Sequence, residues 1–292
     1  MGFTARRPIR TGSLIVTVFG DAILPRGGAV LLADLITLLE AFQLNDSQVR
    51  TALSRLIADG WLQSSRTGRR SLYRLTQTGR HRFDEATRRI YAGAPAAWRG
   101  EWQLVILPPE SASRDELRKD LGWLGFGQLA AGIMLHPAPD PASLASVIGD
   151  LPAAERPLVV AGRAAFSVPP ELLHGLVERC WDLAALARSY RQFRAAFAPL
   201  AAALTQGLKP PPLPALLARI MLIHDYRRII LRDPLLPSRL LPEDWTGRAA
   251  HRQARGIYRK LARPAERWID DHLRGEDGAL PPPDAGFGKR FR

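Results

Sequence analysis

Apolar residues recur along the first 90 or so positions with two different periods, and the switch between them outlines the elements. Residues 13–24 (SLIVTVFGDAIL) predict a helix, ended at 25–28 because Pro25 and two glycines cannot continue it. Residues 31–42 predict a second helix with Leu32, Leu35, Ile36 and Leu39 inward. After a turn at Gln43–Asn45, residues 46–59 set Val49, Leu53, Leu56 and Ile57 on one face, with Asn45, Asp46 and Ser47 as turn and cap residues. Beyond Gly60 the pattern becomes two short strands joined by a turn containing Arg66, Gly68, Arg69 and Arg70. Residues 80–91 are helical again and pack back on this module. Three helices, a hairpin and a helix make residues 1–94 a winged helix-turn-helix domain.

A break is expected at Ala92–Ala97. Beyond it, residues 101–109, 130–136 and 157–162 read as strands, separated by helices carrying Leu117 and Leu121 and running from Asp140-Pro141 to Gly149. That alternation predicts a ferredoxin-like α+β domain at 95–170. The chain then turns helical over 171–274. Trp181, Leu186, Tyr190, Phe193, Phe197 and Leu200 lie on one stripe, KPPPLP at 209–214 forms a rigid link, and 213–233 and 248–274 are further helices. Residues 275–292, rich in Pro and Gly, are expected to be a loose tail. The fold class is α+β throughout.

Charge sharpens this picture. The chain has 292 residues, 46% hydrophobic content and a formal net charge of +13, almost all of the excess being arginine. A polyanionic partner is favoured, although a GC-rich genome also enriches arginine over lysine. Cys180 is the single cysteine, which excludes a disulfide framework or a thiolate metal site and fits a reducing cytoplasm. Arg6 and Arg7 before the apolar run 14–19 echo an export signal. Gly20, Asp21 and Arg26 interrupt that run, and nothing approaches the roughly 20 apolar residues of a membrane span. A cytoplasmic location without membrane association is expected.

The polar face of the 46–59 helix shows Ser47, Gln48, Arg50, Thr51, Ser54 and Arg55, groups suited to base edges and phosphates. Gln48, Thr51 and Arg55 are expected at bases, Arg50 and Ser54 nearer the backbone, and Arg66, Arg69 and Arg70 on phosphate or the minor groove of double-stranded DNA. Enzyme motifs are lacking: no HExxH, Walker loop, G-x-S-x-G or Rossmann fingerprint occurs, and GFG at 125–127 is too short to cradle a phosphate. No catalytic residue, metal or cofactor is expected. His174 and Glu178 share a helical face, a spacing commoner in exposed pairs than in metal sites. His224, Tyr226, Arg227 and Arg228 in HDYRR either bind an anionic ligand or hold the fold together through Asp233 or another domain. Tryptophans 98, 102, 123 and 181 suggest an aromatic pocket, or simply core.

With these residues in view, the chain resembles the PaaX family of transcriptional repressors of bacterial phenylacetate catabolism. The stretches that carry the resemblance are SLIVTVFGDAILPRGG (13–28), VRTALSRLIADGWL (49–62), GRRSLYRLT (68–76), WRGEWQLVIL (98–107), LGFGQLAAGIMLHP (124–137), WDLAALARSYRQF (181–193), HDYRRIILRDPLLPSRLLPEDW (224–245) and IYRKL (257–261). The resemblance implies a winged-helix domain, a middle domain similar to Cas2 and a helical carboxy-terminal domain. It further implies a homodimer on a palindromic operator that blocks RNA polymerase and is released by phenylacetyl-CoA. Coenzyme A phosphates call for arginines and the aryl group for an aromatic wall; the resemblance does not fix which residues serve, and the candidates are His224, Tyr226, Arg227, Arg228, Trp102 and Trp123. The likeness to Cas2 raises an alternative, a metal-dependent nuclease. Such nucleases use an acidic residue near the end of the first strand. Here that strand ends in Pro108-Pro109, and Glu101 sits at its other end, which disfavours catalysis. A third alternative is a DNA-binding regulator that works with a protein partner and senses no small molecule.

Overall fold

The computed structural model describes residues 9–91, 98–109, 112–137, 139–164 and 168–291; the break expected at Ala92–Ala97 lies outside them. The chain opens with α1 (Thr11–Val18), which continues as a π-helical turn at Phe19–Ile23 and a 3-10 turn at Leu24–Arg26. Gly27 and Gly28 follow with φ of 90° and 78°, and a Cβ on Gly28 would meet the Arg80 guanidinium at 2.9 Å. Only glycine suits that corner. Next come β1 (Ala29–Leu31), α2 (Leu32–Glu40), α3 (Asp46–Ala58), β2 (Leu62–Thr67), β3 (Arg70–Leu75) and α4 (Gln77–Tyr91). The sheet has the order β1-β3-β2, all antiparallel.

Strand β4 (Glu101–Ile106), α5 (Arg114–Trp123), β5 (Gly127–Ala130), β6 (Ile133–His136), α6 (Pro141–Gly149) and β7 (Leu158–Arg163) form a βαββαβ unit. Its sheet order is β5-β6-β4-β7, and every neighbouring pair is antiparallel. This is the ferredoxin-like arrangement, in which each helix crosses over one intervening strand. Asp140 caps α6 by accepting from Ser143 N at 3.0 Å. The stretch expected as one strand at 130–136 is instead the end of a hairpin, turning at Ala131-Gly132, where Gly132 has φ 78°.

Helices α7 (Pro170–Cys180), α8 (Leu183–Thr205), α9 (Pro212–Ile230) and α10 (Thr246–His272) follow, then a small hairpin of β8 (Arg274–Gly275) and β9 (Gly278–Ala279). The helical nature of this part matches expectation. One compact unit comprises Met1–Gly93, Phe193–Arg228 and His251–Arg292, and the other Ala94–Gln192 and Ile229–Ala250. Helices α8, α9 and α10 each contribute residues to both.

The first unit is built around Leu14, Ile15, Val18, Leu35, Leu38, Leu39, Val49, Leu53 and Leu72, all fully buried. Each such side chain contributes about 1.5–3 kcal/mol by leaving water. Below them lies a charged core. Asp21 accepts from the hydroxyls of Tyr91 (2.7 Å) and Tyr258 (2.9 Å) and from Arg290 Nη1 (3.2 Å), and Arg219 Nε stands 2.8 Å from its other oxygen. Glu266 takes Arg219 Nη1 and Arg26 Nη2, at 2.5 and 2.6 Å. Burial, with Asp21 adding to it, pushes both phenols upward, so Tyr91 and Tyr258 remain protonated donors.

The segment 275–291 is packed rather than loose. Phe291 is fully buried against the rings of Tyr91, Tyr226, His251 and Tyr258. The Arg290 guanidinium lies 4.2 Å from the Tyr91 ring centroid, and Arg74 pairs with Glu276 at 2.7 Å. Local composition predicts mobility, but the buried ring and the ion pairs override it.

Candidate nucleic-acid interface

Helix α3 starts at a reciprocal cap. Asn45 Oδ1 accepts from Gln48 N and Gln48 Oε1 accepts from Asn45 N, each at 2.9 Å. Val49, Ala52, Leu53 and Leu56 turn into the core, which forces the rest of the helix outward. Ser47, Gln48, Arg50, Thr51, Ser54 and Arg55 are all exposed, as their positions in the sequence imply. Two are already occupied. Gln48 spends its carbonyl on the cap, and Arg50 Nε pairs with Asp46 at 2.9 Å. Ser47, Thr51, Ser54 and Arg55, spaced at four, three and one residues, form the free part of that face.

The hairpin β2-β3 joins at Gly68-Arg69. Gly68 has φ 63° and Arg69 a negative φ, the pattern of a type II′ turn. Register pairs Arg66 with Ser71 and Thr67 with Arg70, so Arg66 and Arg70 project from opposite faces of the ribbon while Arg69 stands at its tip. All three are exposed. The base of this wing is fixed: Thr76 Oγ1 donates to Gly60 O at 2.7 Å and caps α4 by accepting from Gly79 N at 2.8 Å. Trp61 meets Phe83 edge-on, with the Arg82 guanidinium 5.1 Å from its ring centroid. A polar helix face beside a rigid, arginine-tipped ribbon can insert into a major groove and clasp the adjoining phosphates.

Three residues of the HDYRR segment make contacts that hold the fold together. His224 Nδ1 lies 3.0 Å from Thr17 Oγ1, and Arg227 donates to Thr17 Oγ1 (2.8 Å), Ser13 O (2.8 Å) and Ser13 Oγ (2.7 Å), which clamps α9 on α1. Tyr226 is buried, with its hydroxyl 3.1 Å from His251 Nδ1, and Arg228 is exposed. Of the partners expected for His224 and Arg227, Asp233 or another domain, the contacts with Ser13 and Thr17 are of the second kind, and Asp233 accepts from Tyr190 OH at 2.6 Å. Trp102 and Trp123 belong to the ferredoxin-like unit, where Trp102 is buried beside Trp98 and Trp123 is 65% exposed. Sequence separation hid the clamp, because its two halves lie more than 200 residues apart.

Burial, then the charges of Arg227 and Arg228, lower the His224 pKa to about 4. The unfolded imidazole titrates near 6.5, so the unfolded state takes up a proton first as pH falls. Stability is therefore full above about pH 6.5 and declines towards pH 4, by at most ~3 kcal/mol from this group. Burial lowers the His251 pKa as well, in the same direction. Urea midpoints measured from pH 7 to pH 4.5 should fall for the wild type and fall less for His224→Gln. Equal slopes would show that His224 is not the group responsible.

On β4, the carboxylate of Glu101 lies at the start of the strand, paired with Arg163 at 2.7 Å, while the far end runs into Leu107 and Pro108-Pro109. Among the described residues no group of three His, Cys, Asp or Glu is placed to hold a metal. No described helix is long and apolar enough to cross a membrane.

The chain matches three family models in succession: PaaX-like protein over residues 10–79, the PaaX protein central Cas2-like domain over 95–171 and the PaaX-like protein C-terminal domain over 181–271. It belongs to the PaaX family. Over 286 residues it is 33% identical to a protein of Escherichia coli (strain K12) named Transcriptional repressor PaaX, a match covering 97% of this chain and 90% of that one. An uncharacterised protein of Mycobacterium tuberculosis shares the fold with a TM-score of 0.55 and 21% identity, over 87% of this chain and 97% of that one.

Proposed function

We propose that the protein is a sequence-specific, DNA-binding transcriptional repressor of an aromatic, phenylacetate-type catabolic operon, released from its operator by an aryl-CoA thioester such as phenylacetyl-CoA. The observation that carries the DNA-binding part is the exposed polar face of α3 set beside the arginine-tipped wing. Membership of a family that includes a named repressor supports the regulatory part. The protein acts in the cytoplasm as a homodimer on a palindromic site, each α3 entering one of two successive major grooves about 34 Å apart. The effector stabilises a form in which that spacing is lost, and operator and effector therefore weaken each other's binding.

Gel shifts on the protein's own upstream region, with and without phenylacetyl-CoA, provide the test. Retarded DNA should be released as the thioester is added; retention at saturating thioester would remove the effector assignment. In the same assay Arg55→Ala should cost about 1–3 kcal/mol on the operator and little on unrelated DNA, because a base contact carries discrimination. Equal losses on both sequences would move Arg55 from base to backbone.

A further inference from the structure

We propose that the cleft bounded by α7, the first turns of α8 and the start of α10 is the effector site, and that it takes a planar aromatic ligand bearing an anionic group. The inference rests on the effector-released repressor described above and names the residues that would hold the effector. The cleft is open on one side and has a volume of about 640 Å³, within the roughly 300–1,000 Å³ of small-molecule sites.

Two indoles form its aromatic wall, and both are fixed before any ligand arrives. Trp181 donates from Nε1 to Gly125 O at 2.8 Å. It also lies so close to Gly127 that a Cβ there would stand 2.6 Å from its ring. The GFG motif, too short for a phosphate, is thus the seat of this tryptophan. Trp245 packs edge-on against Tyr190 at 6.1 Å, and Tyr190 is in turn anchored on Asp233. Trp245 is only 7% exposed and lines the cleft.

The cations are equally placed. Arg179 and Arg191 both line the cleft, both are exposed, and neither makes a hydrogen bond or ion pair with a described residue. Of the carboxylates nearby, Asp182 is spent on the α8 cap, accepting from Ala185 N at 2.8 Å. Glu178 and Asp244 remain at the rim and offset part of the positive charge. The aromatic wall therefore sets the selectivity, and a bare phosphate gains too little to bind. Ala184 and Ala187 keep the floor of the cleft low. Burial raises the Cys180 thiol, which stays neutral and adds polarisable wall. Sequence marks Trp181 and the His174–Glu178 pair, but Trp245 joins them only through the fold.

Tryptophan fluorescence of the full chain, titrated with phenylacetyl-CoA, phenylacetate, free coenzyme A and inorganic phosphate, tests the assignment. A saturable change is expected with the thioester and none with phosphate. Arg191→Glu should weaken the thioester by tenfold or more, since a charge-assisted attraction becomes a repulsion. Ala187→Leu should weaken it by filling the floor, and Arg188→Glu, outside the lining, should not. Operator affinity without effector should stay the same in all three. If Arg191→Glu and Ala187→Leu respond to the thioester like the wild type, the cleft is not the effector site, whether or not the thioester releases DNA. If the wild type gives no saturable signal with thioester or free acid, the cleft assignment falls on that ground, while DNA release is judged separately by gel shift.

Discussion

Replacing Arg219 by methionine should lower the folding free energy by about 3–5 kcal/mol, read as a fall in the urea midpoint at constant slope. The side chain is 0% exposed, as is that of Asp21 opposite it. Asp21 Oδ1 is well supplied, by Tyr91, Tyr258 and Arg290, but Oδ2 depends on Arg219 alone. Methionine fills most of the volume and leaves a carboxylate oxygen buried without a counter-charge. Glu266 is less affected because Arg26 also binds it. The expected deficit therefore belongs mainly to Asp21, and this can be checked directly. Asp21→Asn combined with Arg219→Met should recover a measurable part of it, because the uncompensated charge is then gone. A double variant no more stable than the single would mean that packing around Tyr258 and Phe287, over which Arg219 lies, outweighs the electrostatics.

The second large effect concerns DNA. Changing Arg66, Arg69 and Arg70 together to alanine should reduce the slope of log affinity against log salt by about 2.7, at roughly 0.9 for each phosphate no longer neutralised. Binding at moderate salt should weaken on operator and unrelated DNA alike. The fold should be indifferent, with urea midpoints within about 0.5 kcal/mol of wild type, because these side chains are exposed on the wing. An unchanged salt slope would show that the wing meets something other than phosphate.

Legibility in the sequence follows the length and locality of each signal. Helix α3 is 13 residues long with its own cap, and four exposed candidates remain unoccupied where the spacing puts them. Strand β1 is only three residues, too short for any period to show, and it is defined by pairing with β3 some 40 positions later. The hairpin β5-β6 reads as one strand because its turn, Ala131-Gly132, carries no polar residue. The role of Gln48 is half visible: its spacing from Asn45 is that of a capping pair, yet its position on the polar face suggests a base contact. The clamp of His224 and Arg227 on Ser13 and Thr17, the aromatic seat of Phe291 and the pairing of Trp181 with Trp245 are contacts at long separation. Nothing near any of these residues in the chain announces its partner.

The charged core has a consequence for how the protein is made. Asp21 emerges early and Arg290, which donates to its backbone oxygen, is 269 residues later. At about 5–20 residues per second of synthesis, that interval lasts roughly 13 to 54 s. Throughout it, a carboxylate destined for a dry interior must stay wet, and the face of α1 that receives Arg227 stays uncovered until α9 is made. The winged module thus leaves the ribosome long before it can finish folding, so a stalled or clipped chain carries α3 without the support that holds it.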